Sequence, residues 1–203
     1  MKQLLALIAL SLPTVALADW PLAVTLGLES HTGGDRWDSI ERSGEPSRDI
    51  DLGDGLYFSG GVAAQLPEWP INGRLTLHSR LGVKTVLGEG DDGRYSKLAY
   101  PLELGLRYTN DCALFSTLGC GFFIEAGAVY PFSAHYRMAG SQERDDDFET
   151  QPGYSLRAGW FVFYLGYWHQ RYQLNNEDYD ASSLNVGIEV PVAVKGNWGF
   201  GRE

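Results

Sequence analysis

The chain has 203 residues, with 16 basic and 26 acidic side chains and a formal net charge of −10 at pH 7. This acidic balance argues against a nucleic-acid partner, because phosphate binding requires clustered positive charge. After the N-terminal segment, no stretch of about 18 consecutive apolar residues occurs, which argues against a transmembrane helix.

Residues 1–18 have the pattern of a cleaved secretory signal peptide. Lys2 supplies a positive start, a short apolar run follows, and Ala16 and Ala18 place small residues at the −3 and −1 positions. The apolar run is too short to span a bilayer. An ordinary N-terminal helix is the alternative, but it would not require the Ala-x-Ala site. We therefore expect an exported protein with one domain over residues 19–203.

The mature chain alternates apolar and polar residues with a period of two, which is typical of β-strands with two different faces. In the fourth strand, for example, Leu104 and Leu106 oppose Glu103 and Arg107. We predict eight strands, an even number as a closed up-and-down barrel requires. They cover residues 22–29, 56–66, 74–84, 97–108, 122–132, 154–160, 161–172 and 183–192.

The predicted connections fall into two kinds. The polar and mostly long ones cover about residues 31–54, 87–94, 134–150 and 174–180. The shorter ones are 67–71, 110–119 and a tight turn near Trp160. Long loops at one end and short turns at the other are typical of outer-membrane barrels, whose long loops face the outside. Both termini are then expected at the periplasmic end.

Cys112 and Cys120 are the two cysteines of the chain; Cys112 lies in the longest of the short connections and Cys120 directly follows it. Because the periplasm oxidises thiols, we predict a disulfide between them; a reactive pair is the alternative. A metal site would need further ligands, and the segment 111–120 adds only Asp111. We predict no metal and no cofactor.

The alternating faces allow two orientations. In a soluble exported β-protein the apolar face points inward, whereas in a membrane barrel the charged face is sealed inside. Glycine and alanine are frequent on the polar face, which suits the crowded interior of a narrow barrel. Aromatic residues near strand ends favour girdles at the two membrane interfaces where they point outward. They are Trp20, Tyr57, Phe58, Trp69, Tyr95, Tyr108, Phe122, Tyr130, Phe132, Tyr154, Trp160, Phe161 and Tyr172. We therefore predict an eight-stranded antiparallel transmembrane β-barrel.

The polar face carries charges of both signs, and a barrel of eight strands is only wide enough for side chains to fill it. Buried charges must be paired and hydrogen-bonded. We expect one ion-pair network that plugs the lumen, and a continuous water channel is the alternative. The expected members are Glu29, Arg74, Arg80, Lys84, Glu103, Arg107, Glu125, Arg157 and Glu189.

These features together resemble the small eight-stranded outer-membrane barrels of the OmpA-like and OmpW-like superfamily. The resemblance covers residues 19–203 and rests on architecture. It implies an outer-membrane location among lipids and lipopolysaccharide, insertion by the barrel assembly machinery, and a monomer with a structural or surface-interaction role. A narrow channel for small solutes is an alternative that OmpW-like proteins suggest. Such barrels usually end on an aromatic residue, whereas here Gly201, Arg202 and Glu203 follow Phe200.

An enzyme that modifies lipid A is the alternative of a different class. Ser133 and His135 lie two residues apart on one strand face, but lipid A deacylases have the reverse order, His-x-Ser, and no third partner is evident. His78 and Ser79 are neighbours and point to opposite faces. We therefore predict no catalytic residues.

Two charged segments belong to the predicted outer loops. The acidic run 143–149 has the carboxylates of a calcium or magnesium site but lacks the spacing of a calcium loop, so we expect a solvated charge run. Arg36, Arg42 and Arg48 are candidates for contacts with lipopolysaccharide phosphates.

Overall fold

The structure, a computed structural model, describes residues 21–42, 45–66, 73–90, 93–110, 121–140 and 144–195. Within these ranges the chain forms thirteen strands and no helix. None of these residues belongs to a helix that is long and apolar enough to cross a membrane. The strands are β1 (Leu22–Thr32), β2 (Arg36–Arg42), β3 (Glu45–Asp51), β4 (Gly55–Gln65), β5 (Gly73–Gly90), β6 (Gly93–Asn110), β7 (Phe122–Gly140), β8 (Arg144–Thr150), β9 (Gly153–Trp160), β10 (Phe163–His169), β11 (Arg171–Leu174), β12 (Glu177–Asp180) and β13 (Ser183–Lys195).

Eight of the strands close into an antiparallel ring. Around the ring the order is β1, β4, β5, β6, β7, β9, β10 and β13, and β13 pairs with β1 again. Each of the eight predicted strands contributes to this ring, so the all-β class and the eight-stranded antiparallel arrangement are confirmed. The predicted signal peptide 1–18, both cysteines and the residues after Phe200 lie outside the described residues.

The two faces of the ring strands differ as their alternation predicts. On the outer face Leu104 is 48% and Ile188 is 36% exposed, whereas on the inner face Arg80 is 2% and Glu103 is 1% exposed. Because successive side chains of a strand point to opposite faces, the pairing register of a strand fixes the face on which each of its side chains lies. The ring therefore has an apolar outer surface and a charged interior.

The prediction that one end of the ring carries loops is wrong. In place of these loops, β2 pairs with β3, β5 and β6 continue to Gly90 and Gly93, and β7 pairs with β8. β11 and β12 form a hairpin whose turn residues Asn175 and Asn176 have φ of 53° and 68°, as a two-residue type I′ turn requires. β8 and β12 read as polar because they expose charged side chains such as Asp145, Asp147 and Asp178.

We call these added strands, with the ends of β6 and β7 that they contact, the crown. Its interior is a cluster of apolar side chains: Trp37, Ile50, Leu52, Ala99, Ala134, Tyr136, Met138, Phe148, Tyr172 and Ala181. Leu52 is fully buried there, and its carbonyl oxygen accepts hydrogen bonds from the Lys97 ammonium and, at 2.7 Å, from the Tyr136 hydroxyl. Since Lys97 points into the ring, these bonds hold the Leu52 segment over this end of the interior.

A β-bulge on β7 separates the ring from the crown. Ala99 pairs with Ala134 and Pro101 pairs with Pro131, so Phe132 and Ser133 together oppose Tyr100. The extra residue reverses the direction in which the following side chains point. Even-numbered residues of β7 are therefore outside the ring up to Phe132 and inside the crown at Tyr136 and Met138.

Candidate functional site: the charge cluster inside the ring

Seven ionisable side chains meet in the middle of the ring, and we call them the charge cluster. They come from six of the eight ring strands, so the closure of the ring is what brings them together. The members are Glu29 on β1, Arg80 on β5, Glu103 and Arg107 on β6, Glu125 on β7, Arg157 on β9 and Glu189 on β13.

Arg157 contacts three carboxylates on the crown side of this cluster. Its Nη1 lies 2.5 Å from Glu103 Oε2 and 3.1 Å from Glu125 Oε1. Its Nη2 donates to Glu103 Oε1 and to Glu29 Oε1, both at 2.9 Å. One guanidinium thus holds carboxylates from three different strands, and its two bonds to Glu103 have the forked geometry that favours arginine.

Arg80 and Arg107 link the remaining carboxylates. Arg80 binds Glu125 through Nη1 at 2.6 Å and Nη2 at 2.8 Å, and its Nε donates to Glu189. Arg107 Nε donates to Glu125 Oε2 at 2.8 Å, and its Nη2 lies 2.9 Å from Glu189 Oε1. The seven side chains therefore form one continuous network, with one carboxylate more than guanidinium groups.

The other two predicted members lie apart from the cluster along β5. Lys84 is four residues beyond Arg80 towards the crown, where its Nζ lies 3.5 Å from Ser183 Oγ and 5.4 Å from the centre of the Trp168 ring. Arg74 is half-buried and six residues from Arg80 in the other direction, roughly 20 Å along the strand.

Polar neighbours that the sequence analysis did not assign to a site extend the network. His31 Nε2 lies 3.0 Å from Glu29 Oε2, and Asn185 Nδ2 donates to the same oxygen. His78, which is buried on the inner face of β5, has its Nδ1 3.1 Å from Arg80 Nη2. His31 was missed because the first long connection was predicted to start at this residue, whereas β1 continues to Thr32.

Aromatic side chains fill the ring interior on the crown side of the charge cluster. Tyr57, Val129 and Trp168 form a buried layer there. The Tyr57 ring lies so close to Gly82 that a Cβ on this glycine would come within 2.3 Å of Tyr57 Cε2. Small inward residues are therefore required where large side chains cross the narrow ring.

The crown surface holds the other sequence candidates. His135 Nδ1 lies 2.7 Å from Asp147 Oδ1 and its Nε2 lies 3.3 Å from Asp145 Oδ1, so both ring nitrogens face carboxylates. Asp146 accepts a hydrogen bond from Trp37 Nε1 at 2.9 Å. The described part of the acidic run thus belongs to β8, a strand of the crown. Among the described residues, no group of histidine, cysteine and carboxylate side chains has the arrangement of a metal site.

Tyr172 is a crown residue whose hydroxyl is affected by burial. Tyr172 is almost fully buried, and this burial raises the pKa of its hydroxyl above the ordinary value. The hydroxyl is therefore neutral at physiological pH, and it lies 3.4 Å from Gln170 Oε1 as a hydrogen-bond donor.

Neither a protein-family model nor a curated protein matches the chain. Among solved structures, the chain is similar to Ail, the attachment invasion locus protein of Yersinia pestis, in a crystal structure with the heparin analogue sucrose octasulfate. The two chains share 9% sequence identity with a TM-score of 0.41, over 84% of this chain and 99% of Ail. A similarity of this size assigns neither a family nor a function to the chain.

Proposed function

We propose that this protein is an integral protein of a bacterial outer membrane, with a ring that spans the bilayer as a β-barrel and a lumen closed by the charge cluster. Its role is structural or one of surface interaction, with the crown on the outside of the cell. The observation that carries the proposal is that the ring exposes apolar side chains and buries charged ones, the reverse of a water-soluble protein. Every ring strand exposes a large apolar side chain: Leu26, Phe58, Leu81, Leu104, Ile124, Leu156, Leu165 and Val186.

This apolar band supports a lipid environment rather than an aqueous one. Soluble proteins rarely expose continuous apolar patches of more than a few hundred Å², whereas here the band continues around the whole ring. A closed ring also leaves no unpaired strand edge, which is what a bilayer requires of a β-structure. A membrane strand needs about ten residues to cross the hydrocarbon layer, and β1, β4, β5, β6, β7 and β13 each have at least 11.

Exposed aromatic residues border this band at both ends. On the crown side they are Tyr100, Tyr130, Phe132 and Tyr154, and at the opposite end they are Phe122, Trp160, Phe161 and Phe163. Aromatic residues concentrate at the two interfaces of membrane barrels because their rings have apolar and polar parts. The distance between the two groups gives the expected height of the band in the membrane.

The interior supports a closed lumen. The charge cluster joins side chains of six strands, and the Tyr57 and Trp168 layer and the Leu52 segment follow it towards the crown. A solute would have to separate buried ion pairs to pass. We therefore favour a plugged barrel over the channel that the sequence left open.

Cysteine labelling of the full chain tests the membrane location. Single cysteines at Leu104 and Leu165, with Cys112 and Cys120 changed to serine, are compared with a control cysteine at Glu177 in the crown. We expect membrane-impermeant maleimide to label position 177 on whole cells and to leave positions 104 and 165 unlabelled. The protein is also expected in the outer-membrane fraction with heat-modifiable gel migration. Labelling at all three positions, or a soluble protein, would contradict the proposal.

Planar-bilayer recording tests the closed lumen separately. We expect no stable open state from the purified protein. A steady conductance that changes in the Arg157→Leu variant would show that the lumen is a channel and not closed. The proposed membrane location would be unaffected.

A further inference from the structure

An apolar cavity of about 600 Å³, which we call the groove, lies on the outer face of the ring over β4. Gly60 forms its floor, and the residues paired with Gly60 on the two neighbouring strands are Leu26 on β1 and Leu81 on β5. Leu26 and Leu81 are each 54% exposed. They therefore stand on either side of a position that has no side chain.

Packing does not explain the glycine at this position. A Cβ on Gly60 would meet no atom closer than 3.9 Å, whereas a Cβ on the inward Gly82 would clash with Tyr57. The φ angle of Gly60 is not positive either, so the backbone does not require glycine. A glycine inside a strand weakens it and often marks a place where a ligand approaches closely. Gly60 thus keeps space open on the surface of the band.

The groove runs along β4 towards the crown. The next outward residue of β4 in this direction is Phe58, which lines the groove, and Leu56 follows it about 7 Å further along the strand. Tyr100 and Phe132, two members of the aromatic border on the crown side, also line the groove. The groove therefore reaches the crown-side edge of the apolar band.

A second cavity of about 390 Å³, which we call the notch, begins at this edge. Leu56 lines the notch as Phe58 lines the groove, so the two cavities are neighbours along β4. The notch exists because β4 begins at Gly55, whereas the neighbouring β5 continues to Gly90. The chain before Gly55 leaves the wall of the ring and lies over its interior.

The notch is polar where the groove is apolar. It is lined by the hydroxyl-bearing residues Ser30, Thr32 and Thr85, by the Asp54 carboxylate and by Tyr95. Among the described residues, its lining includes no lysine or arginine. A phosphate head group would need such a cation and would be repelled by the carboxylate. Sugar hydroxyls both donate and accept hydrogen bonds, which suits hydroxyls and a carboxylate.

His31 also lines the notch, but its ring nitrogens are engaged inside the ring. Nδ1 lies 2.9 Å from Ser183 Oγ, and Nε2 lies 3.0 Å from Glu29 Oε2. The imidazole therefore does not replace the missing cation.

We propose that the groove and the notch together bind one glycolipid of the outer leaflet, with an acyl chain over Gly60 and an uncharged sugar in the notch. This inference rests on the proposed membrane location, in which the groove lies at the level of the acyl chains and the notch at that of the head groups. It differs from the phosphate contacts expected of Arg36, Arg42 and Arg48, because it uses hydroxyls and a carboxylate.

Photolabelling of the full chain in phosphatidylcholine nanodiscs tests the site. The probe is glucosyl diacylglycerol with a diazirine in the middle of one acyl chain, added as a minor lipid. We expect peptide mass spectrometry to place adducts around Leu26, Gly60 and Leu81. Labelling around Ala158, on the strand opposite β4 in the ring, should be lower by about fivefold or more.

Filling the groove tests the place of the acyl chain. Gly60→Leu should lower the labelling around Leu26 and Leu81 by about fivefold or more, and the open space around Gly60 accommodates the new side chain. The matched control is Ala158→Leu, which adds a leucine to the exposed outer face of β9 and should leave the labelling unchanged. Equal losses in both variants would overturn the site.

Competition tests the sugar in the notch. Unlabelled glucosyl diacylglycerol should suppress the labelling, whereas phosphatidylglycerol with the same acyl chains should not. Thr85→Val, which keeps the side-chain shape and removes a hydroxyl, should weaken the glycolipid competitor by about fivefold. The control Ser79→Ala removes an exposed hydroxyl from β5 outside both cavities and should have no effect. Equal competition by the two lipids would overturn the choice of a sugar.

The outcomes distinguish this inference from the proposed function. Heat-modifiable protein that enters the nanodiscs but is labelled evenly around the ring would overturn the glycolipid site and leave the barrel. Protein that does not enter the nanodiscs would overturn the membrane location, and this inference with it. If Gly60→Leu does not fold, the competition experiment on the unchanged protein decides.

Discussion

The ring and the crown share continuous strands, yet they bury opposite kinds of side chain. Inside the ring lie charged groups such as Arg80 and Glu103, whereas the crown encloses Tyr136 and Phe148. On their outer surfaces, the ring exposes apolar side chains and the crown exposes polar ones. The comparison shows that burial alone does not define a hydrophobic core, because the medium outside decides which face of a strand must be apolar.

The bulge at Phe132 and Ser133 is where β7 changes from one arrangement to the other. Apolar residues continue at even positions of β7 from Phe122 to Met138. If the same residues formed a regular strand without a bulge, Tyr136 and Met138 would follow Phe132 on the outside of the ring. One residue thus turns an outward apolar stripe into the interior of a water-exposed sheet.

The largest effect is expected when the ring loses a buried cation. Arg157→Leu leaves the carboxylates of Glu29 and Glu103 without their main partner. The free energy of unfolding should fall by about 3–5 kcal/mol, because an uncompensated buried charge remains. Urea unfolding in phospholipid vesicles, followed by tryptophan fluorescence, measures this change.

The same substitution in the crown is the control. Arg137 is exposed on β7, and Arg137→Leu should change the free energy of unfolding by at most about 1 kcal/mol. Similar losses at both positions would show that the charge cluster is not what stabilises the ring.

The next effect concerns the alternation of β7 after the bulge. Inserting one alanine after Ala134 shifts this alternation by one residue, so Tyr136 and Met138 turn outward and the crown loses packing worth on the order of 3 kcal/mol. We expect limited proteolysis to cut the crown while the ring keeps its heat-modifiable migration. Deleting Ser133 is the control: Phe132 and Ala134 already lie on opposite faces, so Tyr136 and Met138 stay inside and the crown should resist proteolysis as the unchanged protein does. A protease-resistant crown in the insertion variant would show that the alternation along β7 does not set the orientation.

A charged side chain introduced on the apolar band tests whether the band contacts lipid or water. Leu104→Arg should destabilise the ring in phospholipid vesicles by about 2 kcal/mol or more, since Leu104 lies near the middle of the band. The control Gln173→Arg adds the same side chain to the crown, where Glu149 and Asp178 are its cross-strand neighbours. We expect no loss there. An undiminished stability of Leu104→Arg would place the band in water.

The ring was predictable from the sequence because its strands have two clearly different faces. Leu104 against Glu103, or Ile188 against Glu189, is enough to assign a strand and its inner side. The crown was not, since Glu177, Asp178 and Asp147 resemble loop residues when one face is exposed to water. The bulge depends on a single extra residue without its own sequence signal. His31 and Asn185 were missed as site residues because only the closed ring brings β1 beside β13.

The smallest effect tests how the crown is attached to the ring. Tyr136→Phe removes the hydroxyl that donates to the Leu52 carbonyl, while Lys97 still donates to the same oxygen. Because that oxygen keeps one partner, the loss should be about 1 kcal/mol. Tyr172→Phe, which removes only a 3.4 Å contact to Gln170, should cost less. Hydrogen exchange at Leu52 should rise in the first variant and leave the Arg80 and Arg157 amides unchanged. Faster exchange at all three sites would mean that ring and crown open as one unit, and the two regions would then differ in composition but not in stability.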